Sequence, residues 1–160
     1  MTAAGDFIDA ALQYEISPYS YPIDEADGLQ RYGTSIGAIR GTIRDALKRY
    51  PGMSRNEITA LSSELWSARV FERRQAAIIL LQMHVDSLVA NDLTRIEGFV
   101  RSAGSDALVD QLTEDVLGPM FTRMDGATFA RVRPVVARWA ADSEVLLNSV
   151  ARRLSEGVGG

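Results

Sequence analysis

The segment Arg69-Val-Phe-Glu-Arg-Arg-Gln-Ala-Ala-Ile-Ile-Leu-Leu-Gln-Met83 decides the fold class of this chain of 160 residues. Its apolar residues do not alternate with polar ones, as they would in a half-buried strand, and from Ala76 to Leu81 they surround every side of a helix. A helix that is apolar all round is stable only where neighbouring elements cover it. The sequence therefore predicts a central, buried helix in this segment.

The segments before this helix also have helical spacing. One apolar face ends at Pro51-Gly52, a pair that stops a helix, and Ser54 opens the next helix with Glu57 three residues on, the pattern of a capping box. An earlier helix is predicted over Ala4–Glu15, followed by a loop over Ser17–Pro22. The positions that define the two apolar faces are Ile36, Ile39, Ile43, Leu47, Tyr50, Ile58, Leu61 and Leu65.

Two helices are predicted directly after the central one. Asn91 or Asp92 caps the first, and Gly104 ends it. The second is a long helix that starts near Asp106, and Gly118-Pro119 is expected to fray or kink its end. Their apolar positions are Leu93, Ile96, Val100, Ala103, Val109, Leu112, Val116 and Met120.

The last part of the chain predicts two more helices. The first follows the Asp125-Gly126 turn, and Pro134 is expected to split or bend it. Asp142 caps the second, and residues 157–160 are predicted to form a flexible tail. Their apolar positions are Phe129, Val132, Val136, Trp139, Leu146, Val150 and Leu154.

Helices joined by short polar connections predict an all-α fold, and no segment has the period of two that indicates a strand. Short connections make neighbouring helices antiparallel, and helix pairs begin near Ile36, Arg69 and Asp106, a spacing of roughly 33–37 residues that is typical of helical repeats. We therefore predict a single HEAT-like domain, an α-solenoid of stacked helix pairs, over residues 1–156, in which 1–30 form a variable N-terminal helix and loop. The alternative is a compact bundle of the same helices.

The composition is that of an ordinary globular protein. Hydrophobic residues make up 46% of the chain, and the net charge of −4 argues against a protein that coats nucleic acid by bulk charge. The longest apolar run, Ala76–Leu81, is much shorter than the roughly 20 residues of a membrane span, and no signal peptide is visible. The absence of cysteine excludes disulfides, thiolate metal sites and a cysteine nucleophile. We expect a cytoplasmic protein without a metal or organic cofactor.

Short motifs follow one another along the chain in an informative order. They are Tyr32-Gly-Thr-Ser-Ile-Gly-Ala-Ile-Arg40, Leu65-Trp66, Phe71-Glu-Arg-Arg74, Ala107-Leu-Val-Asp110, Val116-Leu-Gly118 and Arg138-Trp-Ala-Ala-Asp142. In this order and at this spacing they resemble the actinobacterial branch of the DNA alkylation repair family, whose members are HEAT-like glycosylases. The resemblance implies that a concave basic surface holds duplex DNA and that alkylated purines carrying positive charge are excised from it.

The resemblance assigns the catalytic role to Asp110, which matches the aspartate that ends a Trp-x-x-x-Asp pattern in the family. Hydrolysis of the N-glycosidic bond develops positive charge on the sugar, and a fixed carboxylate stabilises that charge. In this chain Asp106 stands at the position of the tryptophan, so an aromatic face that would attract a cation is missing.

A second departure from the family follows Trp139. The family pattern there has a tryptophan and an arginine that face the DNA, and Leu146 and Ser149 occupy these positions here. Arg152 and Arg153 come one helical turn later and are expected to substitute in part as phosphate contacts.

Several other basic residues are candidate DNA contacts. Arg40, Arg44 and Lys48 recur at i, i+4 and i+8, which predicts either a line of phosphate contacts or a solvated helix face. Arg73 and Arg74 either hold neighbouring helices together or touch the DNA. The predicted DNA contacts are Arg40, Arg44, Arg73, Arg74 and Arg152.

Three functions fit these observations. The first is repair, in which the chain binds alkylated duplex DNA and Asp110 assists hydrolysis of the glycosidic bond. The second is a catalytically inactive HEAT-like module that binds DNA or a protein. The third is an interaction scaffold without a nucleic-acid role, which the acidic net charge favours. Arginines that converge beside Asp110 would favour the repair function.

Overall fold

The computed structural model describes residues 1–14 and 27–158, and it confirms the all-α prediction. Within these ranges there is no strand, only one isolated bridge in which Gln30 pairs with Val70. None of the helices there is long and apolar enough to cross a membrane. The helices are α1 (Ala3–Tyr14), α2 (Ile36–Arg49), α3 (Arg55–Ser67), α4 (Phe71–Met83), α5 (Leu93–Ser102), α6 (Asp106–Leu112), α7 (Gly118–Thr122), α8 (Gly126–Ala140) and α9 (Val145–Val158).

The chain divides into two compact units. Unit 1 is Met1–His84 and contains α1 to α4, and unit 2 is Val85–Gly160 and contains α5 to α9. Within each unit, consecutive helices such as α3 and α4, or α8 and α9, pack together across short connections and are therefore antiparallel. The predicted loop Ser17–Pro22 lies outside the described residues, and the single domain predicted over 1–156 stays a prediction.

Unit 1 is built around α4, the predicted central helix. This helix packs against α1, α2 and α3, and every residue from Ala76 to Leu81 is at most 1% exposed. The predicted capping box at the start of α3 is also confirmed. The Ser54 hydroxyl oxygen accepts a hydrogen bond from the Glu57 N–H at 3.1 Å, and the Glu57 carboxylate accepts one from the Ser54 N–H at 3.1 Å.

A wide turn interrupts the long helix predicted in unit 2. The helical path continues from α6 through a π turn over Thr113–Leu117 into α7, so the irregularity lies before Gly118-Pro119, where a frayed or kinked end was predicted. The N–H of Gly118 donates to the carbonyl of Thr113, five residues back. Because proline has no N–H and its ring clashes with the carbonyl four residues back in α geometry, the wider turn accommodates Pro119. A Cβ at Gly118 would lie 3.1 Å from the Thr113 carbonyl oxygen, so glycine permits this approach.

The last two helices differ from the prediction in detail. α8 runs unbroken through Pro134, which therefore does not split it. The Asp142 carboxylate accepts a hydrogen bond from the Glu144 N–H at 2.9 Å before α9 begins, so Asp142 shapes the preceding turn and is not the helix cap. α9 continues to Val158 and so includes the start of the tail predicted over 157–160.

A buried polar cluster ties α1 and α4 of unit 1 together. Arg73 on α4 is 6% exposed and donates hydrogen bonds to the carbonyls of Glu64, at 2.9 Å, and Leu65, at 3.3 Å. The same guanidinium forms an ion pair with Asp9 on α1 at 3.3 Å. The hydroxyl of Tyr32 donates to Asp9 at 2.9 Å. One carboxylate therefore satisfies two buried donors from other parts of the unit.

Because of this cluster, Tyr32 should lose its phenolic proton at a higher pH than an ordinary tyrosine. Burial, followed by the hydrogen bond and the negative charge of Asp9, raises the pKa of Tyr32 from 10.0 to about 12. Since the folded chain favours the protonated phenol, this stabilisation is fully present below pH 10.0 and is lost as the pH rises to about 12. Spectrophotometric titration of tyrosinate should show a late step that the Tyr32→Phe variant lacks. Titration curves with the same late step in both proteins would contradict this environment.

Candidate functional site

Asp110 lies on the solvent-exposed side of α6. The buried residues Leu108, Val109 and Leu112 anchor this helix in unit 2, whereas the Asp110 side chain is 57% exposed. Its Oδ1 atom lies 3.0 Å from Nη1 of Arg153 on α9, and its Oδ2 atom has no hydrogen-bond partner among the described residues. The site thus presents an accessible carboxylate with one oxygen fixed and the other open to solvent.

Arg153, one of the two arginines predicted as phosphate contacts on the last helix, is the arginine that contacts Asp110. The Arg153 side chain is 30% exposed, and its Nε atom is buried without a hydrogen-bond partner in the described chain. In sequence, the signal for Arg153 is its position four residues after Ser149, which places both on the same face of α9. Arg152 is exposed and makes no ion pair within the described residues.

The two positions where the family pattern has tryptophan carry no aromatic ring in this chain. Asp106 is exposed in the first turn of α6, and Leu146 is half-buried on α9. Trp139 is only 1% exposed, and its indole N–H donates to the Glu97 carboxylate, so it is a core residue of unit 2. A cationic sugar or base would therefore find a carboxylate at the first position, an aliphatic side chain at the second and no ring face at either.

The basic stripe of α2 consists of Arg40, Arg44 and Lys48. One of these side chains is hydrogen-bonded within unit 1, and the other two are exposed to solvent. Arg40 is half-buried, and its Nη1 atom donates to the Gln82 side chain at 3.2 Å. Arg44 and Lys48 are exposed and make no ion pair within the described part of unit 1. These two side chains are available for a contact with phosphate.

Arg73 and Arg74 lie inside unit 1. Arg73 donates hydrogen bonds to two carbonyls at the end of α3. Arg74 is 4% exposed, and its Nε atom donates to the carbonyls of Trp66, at 3.1 Å, and Ala68, at 3.2 Å. Its guanidinium also lies 5.2 Å from the centre of the Trp66 ring, and burial, followed by the charge of Arg69, lowers the pKa of Arg74. Of the two roles predicted for this pair, these contacts favour the joining of helices.

Arg101 belongs to an ion-pair network of unit 2. Its Nη2 atom lies 2.6 Å from Oδ2 of Asp142, and its Nε atom lies 3.6 Å from Oε2 of Glu97. The hydrogen bond from Arg101 is the largest cause that holds the pKa of Asp142 below its ordinary value. Arg101 is therefore committed to its own unit and is not a free cation beside Asp110.

The described residues contain no group of three or more His, Cys, Asp or Glu arranged to bind a metal ion. The single histidine, His84, lies at the end of α4, where its Nδ1 atom is 2.8 Å from the Leu80 carbonyl oxygen.

One family model matches most of the chain. It is described as DNA alkylation repair enzyme, and it matches residues 19–153. No curated protein matches the chain. The matched range includes both partners of the ion pair between Asp110 and Arg153.

Proposed function

Because the chain belongs to the DNA alkylation repair enzyme family, we propose that it binds duplex DNA with alkylated purines and hydrolyses their N-glycosidic bonds, with Asp110 as the catalytic carboxylate. The observation that carries this proposal is the exposed Asp110 carboxylate, held at one oxygen by Arg153. A carboxylate that is accessible and held in place can approach a sugar of duplex DNA, whereas a buried carboxylate cannot.

Two features of the site suit this reaction. The departing alkylated purine leaves an oxocarbenium-like sugar, whose positive charge the Asp110 carboxylate would stabilise. The Oδ2 atom, which has no partner among the described residues, is available to orient the attacking water. Arg153 would restrict the rotation of the carboxylate through a charge-assisted hydrogen bond to one of its oxygens.

The DNA contacts that we retain in this proposal are the exposed arginines. Arg152 on α9 follows the helical turn that carries Ser149, and Arg44 on α2 has no partner in the described part of its unit. Arg40 also remains a candidate, since a hydrogen bond to a neutral amide is easily exchanged for one to a phosphate. Arg73 and Arg74 are not retained, because contact with DNA would require both to leave buried carbonyl groups unbonded.

An alternative function is that of a catalytically inactive HEAT-like module that binds DNA or a protein. Its support is the loss of both aromatic positions, where Asp106 and Leu146 stand. Without a ring face, an alkylated base or a cationic sugar loses an attraction of about 0.5–2 kcal/mol. The ion pair with Arg153 also partly neutralises the charge that the reaction requires of Asp110.

Release of methylated purines from duplex DNA distinguishes the two functions. We expect the parent chain to release 3-methyladenine or 7-methylguanine, and we expect Asp110→Asn to reduce the rate by about 100-fold or more, since asparagine keeps the shape of the side chain but not its charge. The matched control is Asp106→Asn, which removes the same charge one turn earlier on α6 and should retain most of the activity. No release by the parent chain, or equal losses in both variants, would leave the binding module as the better function.

A further inference from the structure

A polar cavity in unit 2 lies apart from the residues that the family resemblance singles out as functional. It has a volume of about 260 Å³ and lies between the start of α5 and one face of α8. Its polar lining consists of Asn91, Thr94, Glu97, Arg131 and Arg138. Both arginines are exposed, and neither side chain has a hydrogen bond or an ion pair among the described residues.

The only carboxylate in this lining is already engaged. One oxygen of Glu97 accepts a hydrogen bond from the Trp139 indole N–H, and the other lies 3.6 Å from Nε of Arg101. Arg101 lies closer to Asp142, at 2.6 Å, so Glu97 keeps part of its charge, but a single carboxylate faces two guanidinium groups and the lining keeps an excess of positive charge. The cavity therefore attracts anions.

A neighbouring cavity extends the same surface. It has a volume of about 510 Å³ and shares Ala90, Asn91 and Arg131 with the first, so the two meet at Arg131. Its two carboxylates are also engaged. Asp86 forms an ion pair with Arg123 at 2.7 Å, and the Asp125 carboxylate accepts a hydrogen bond from the Thr128 N–H at 2.7 Å. Arg123 offsets Asp86, whereas Asp125 keeps its charge, so the excess of positive charge lies in the first cavity.

The spacing of the two arginines points to an extended anion. Arg131 and Arg138 are seven residues apart on α8, which places them on one face of the helix and about 10 Å apart along its axis. A single small anion sits poorly between side chains rooted so far apart, whereas a nucleic-acid backbone presents a phosphate at regular short intervals. Guanidinium groups bind phosphate oxygens through two parallel hydrogen bonds, and the neutral side chains of Asn91 and Thr94 can add further ones.

We propose that Arg131 and Arg138 bind backbone phosphates of duplex DNA at a second contact surface. This surface includes neither Asp110 nor Arg153. This inference rests on the DNA binding in the proposed function and extends it to a site on α8. It does not require that the chain be catalytic. Its role is to hold the duplex through its backbone, without reading the base sequence.

Anisotropy of a fluorescently labelled, unmodified duplex, titrated at several salt concentrations, tests this surface. Each of Arg131→Gln and Arg138→Gln should weaken binding and reduce the slope of log K against log salt by about one, and the double variant by about two. The matched control is Arg133→Gln. It removes one charge from the same helix, but Arg133 lines a different, largely apolar groove with Phe121 and Phe129, so the slope should not change.

Three outcomes would overturn the inference. The first is a loss of slope in Arg133→Gln equal to that in Arg131→Gln, which would indicate bulk charge. The second is DNA binding that does not change in the double variant, while inorganic phosphate raises the thermal unfolding temperature of the parent chain and not that of the double variant. This result would indicate a site for a small anion. The third is the absence of DNA binding by the parent chain.

Base release and DNA binding together distinguish loss of the catalytic function from loss of the contact surface on α8. Salt-dependent binding that requires Arg131 and Arg138, without any release of base, would remove catalysis and keep this surface. Release of base at the parent rate and with the parent KM in the double variant would remove this surface and keep catalysis.

Discussion

Replacement of Arg73 by methionine should lower the free energy of unfolding of unit 1 by about 3 kcal/mol, because removing one partner of a buried ion pair leaves the other uncompensated. Methionine keeps much of the aliphatic length but cannot donate hydrogen bonds. The Glu64 and Leu65 carbonyls at the end of α3 would lose their donor, and the Asp9 carboxylate would lose its counter-charge.

The two tryptophans allow this effect to be measured in one unit. Trp66 lies in unit 1 and Trp139 in unit 2, so fluorescence in a Trp139→Phe background reports the urea unfolding of unit 1 alone. Arg44→Met is the matched control, since the exposed Arg44 should change stability by less than about 0.5 kcal/mol.

A double-mutant cycle separates the ion pair from the other contacts of Arg73. Adding Asp9→Asn to Arg73→Met should cost less than the same change in the parent chain, because the carboxylate is no longer paired. If Arg73→Met left unit 1 as stable as before and weakened DNA binding, the arginine would instead be a DNA contact.

Replacement of Leu80 by alanine should also destabilise unit 1, by about 3 kcal/mol. Leu80 is fully buried on α4, the helix that packs against the three other helices of the unit, so the cavity left by the substitution has little room to collapse. Ile36→Ala is the control, because Ile36 is 50% exposed at the start of α2 and loses less buried area. Equal losses in the two variants would contradict the central position of α4. Trp66 fluorescence in the Trp139→Phe background measures the urea unfolding of both variants.

The sequence predicts the helices well because their signals are local. Continuous apolar character from Ala76 to Leu81 indicates burial on every side, and Ser54 with Glu57 marks a helix start, so both features are visible within a few residues. The π turn is less visible. Pro119 shows that α geometry is disturbed, but the turn in which the strain is relieved depends on the packing of both flanking helices.

The roles of the arginines could not be predicted in the same way. Nothing in the local pattern distinguishes Arg74, which bonds the carbonyls of Trp66 and Ala68, from the exposed Arg44. The difference lies in the end of α3, whose carbonyls need donors from another helix. The contact of Arg153 with Asp110 likewise joins two helices that are far apart in sequence, so a spacing rule could suggest the residue but not the contact.

The π turn over Thr113–Leu117 has a consequence for the length of the chain in this region. Such a turn holds one residue more than an α-helical path between the same flanking faces. Loss of one residue here, combined with replacement of Pro119 by a residue that has an N–H, would return the helix to regular geometry while α6, with Asp110, and α7 keep their directions. In a sequence without Pro119, an alignment gap of one position at this turn would therefore be structurally silent, whereas the same gap inside α4 would rotate its buried face by about 100°.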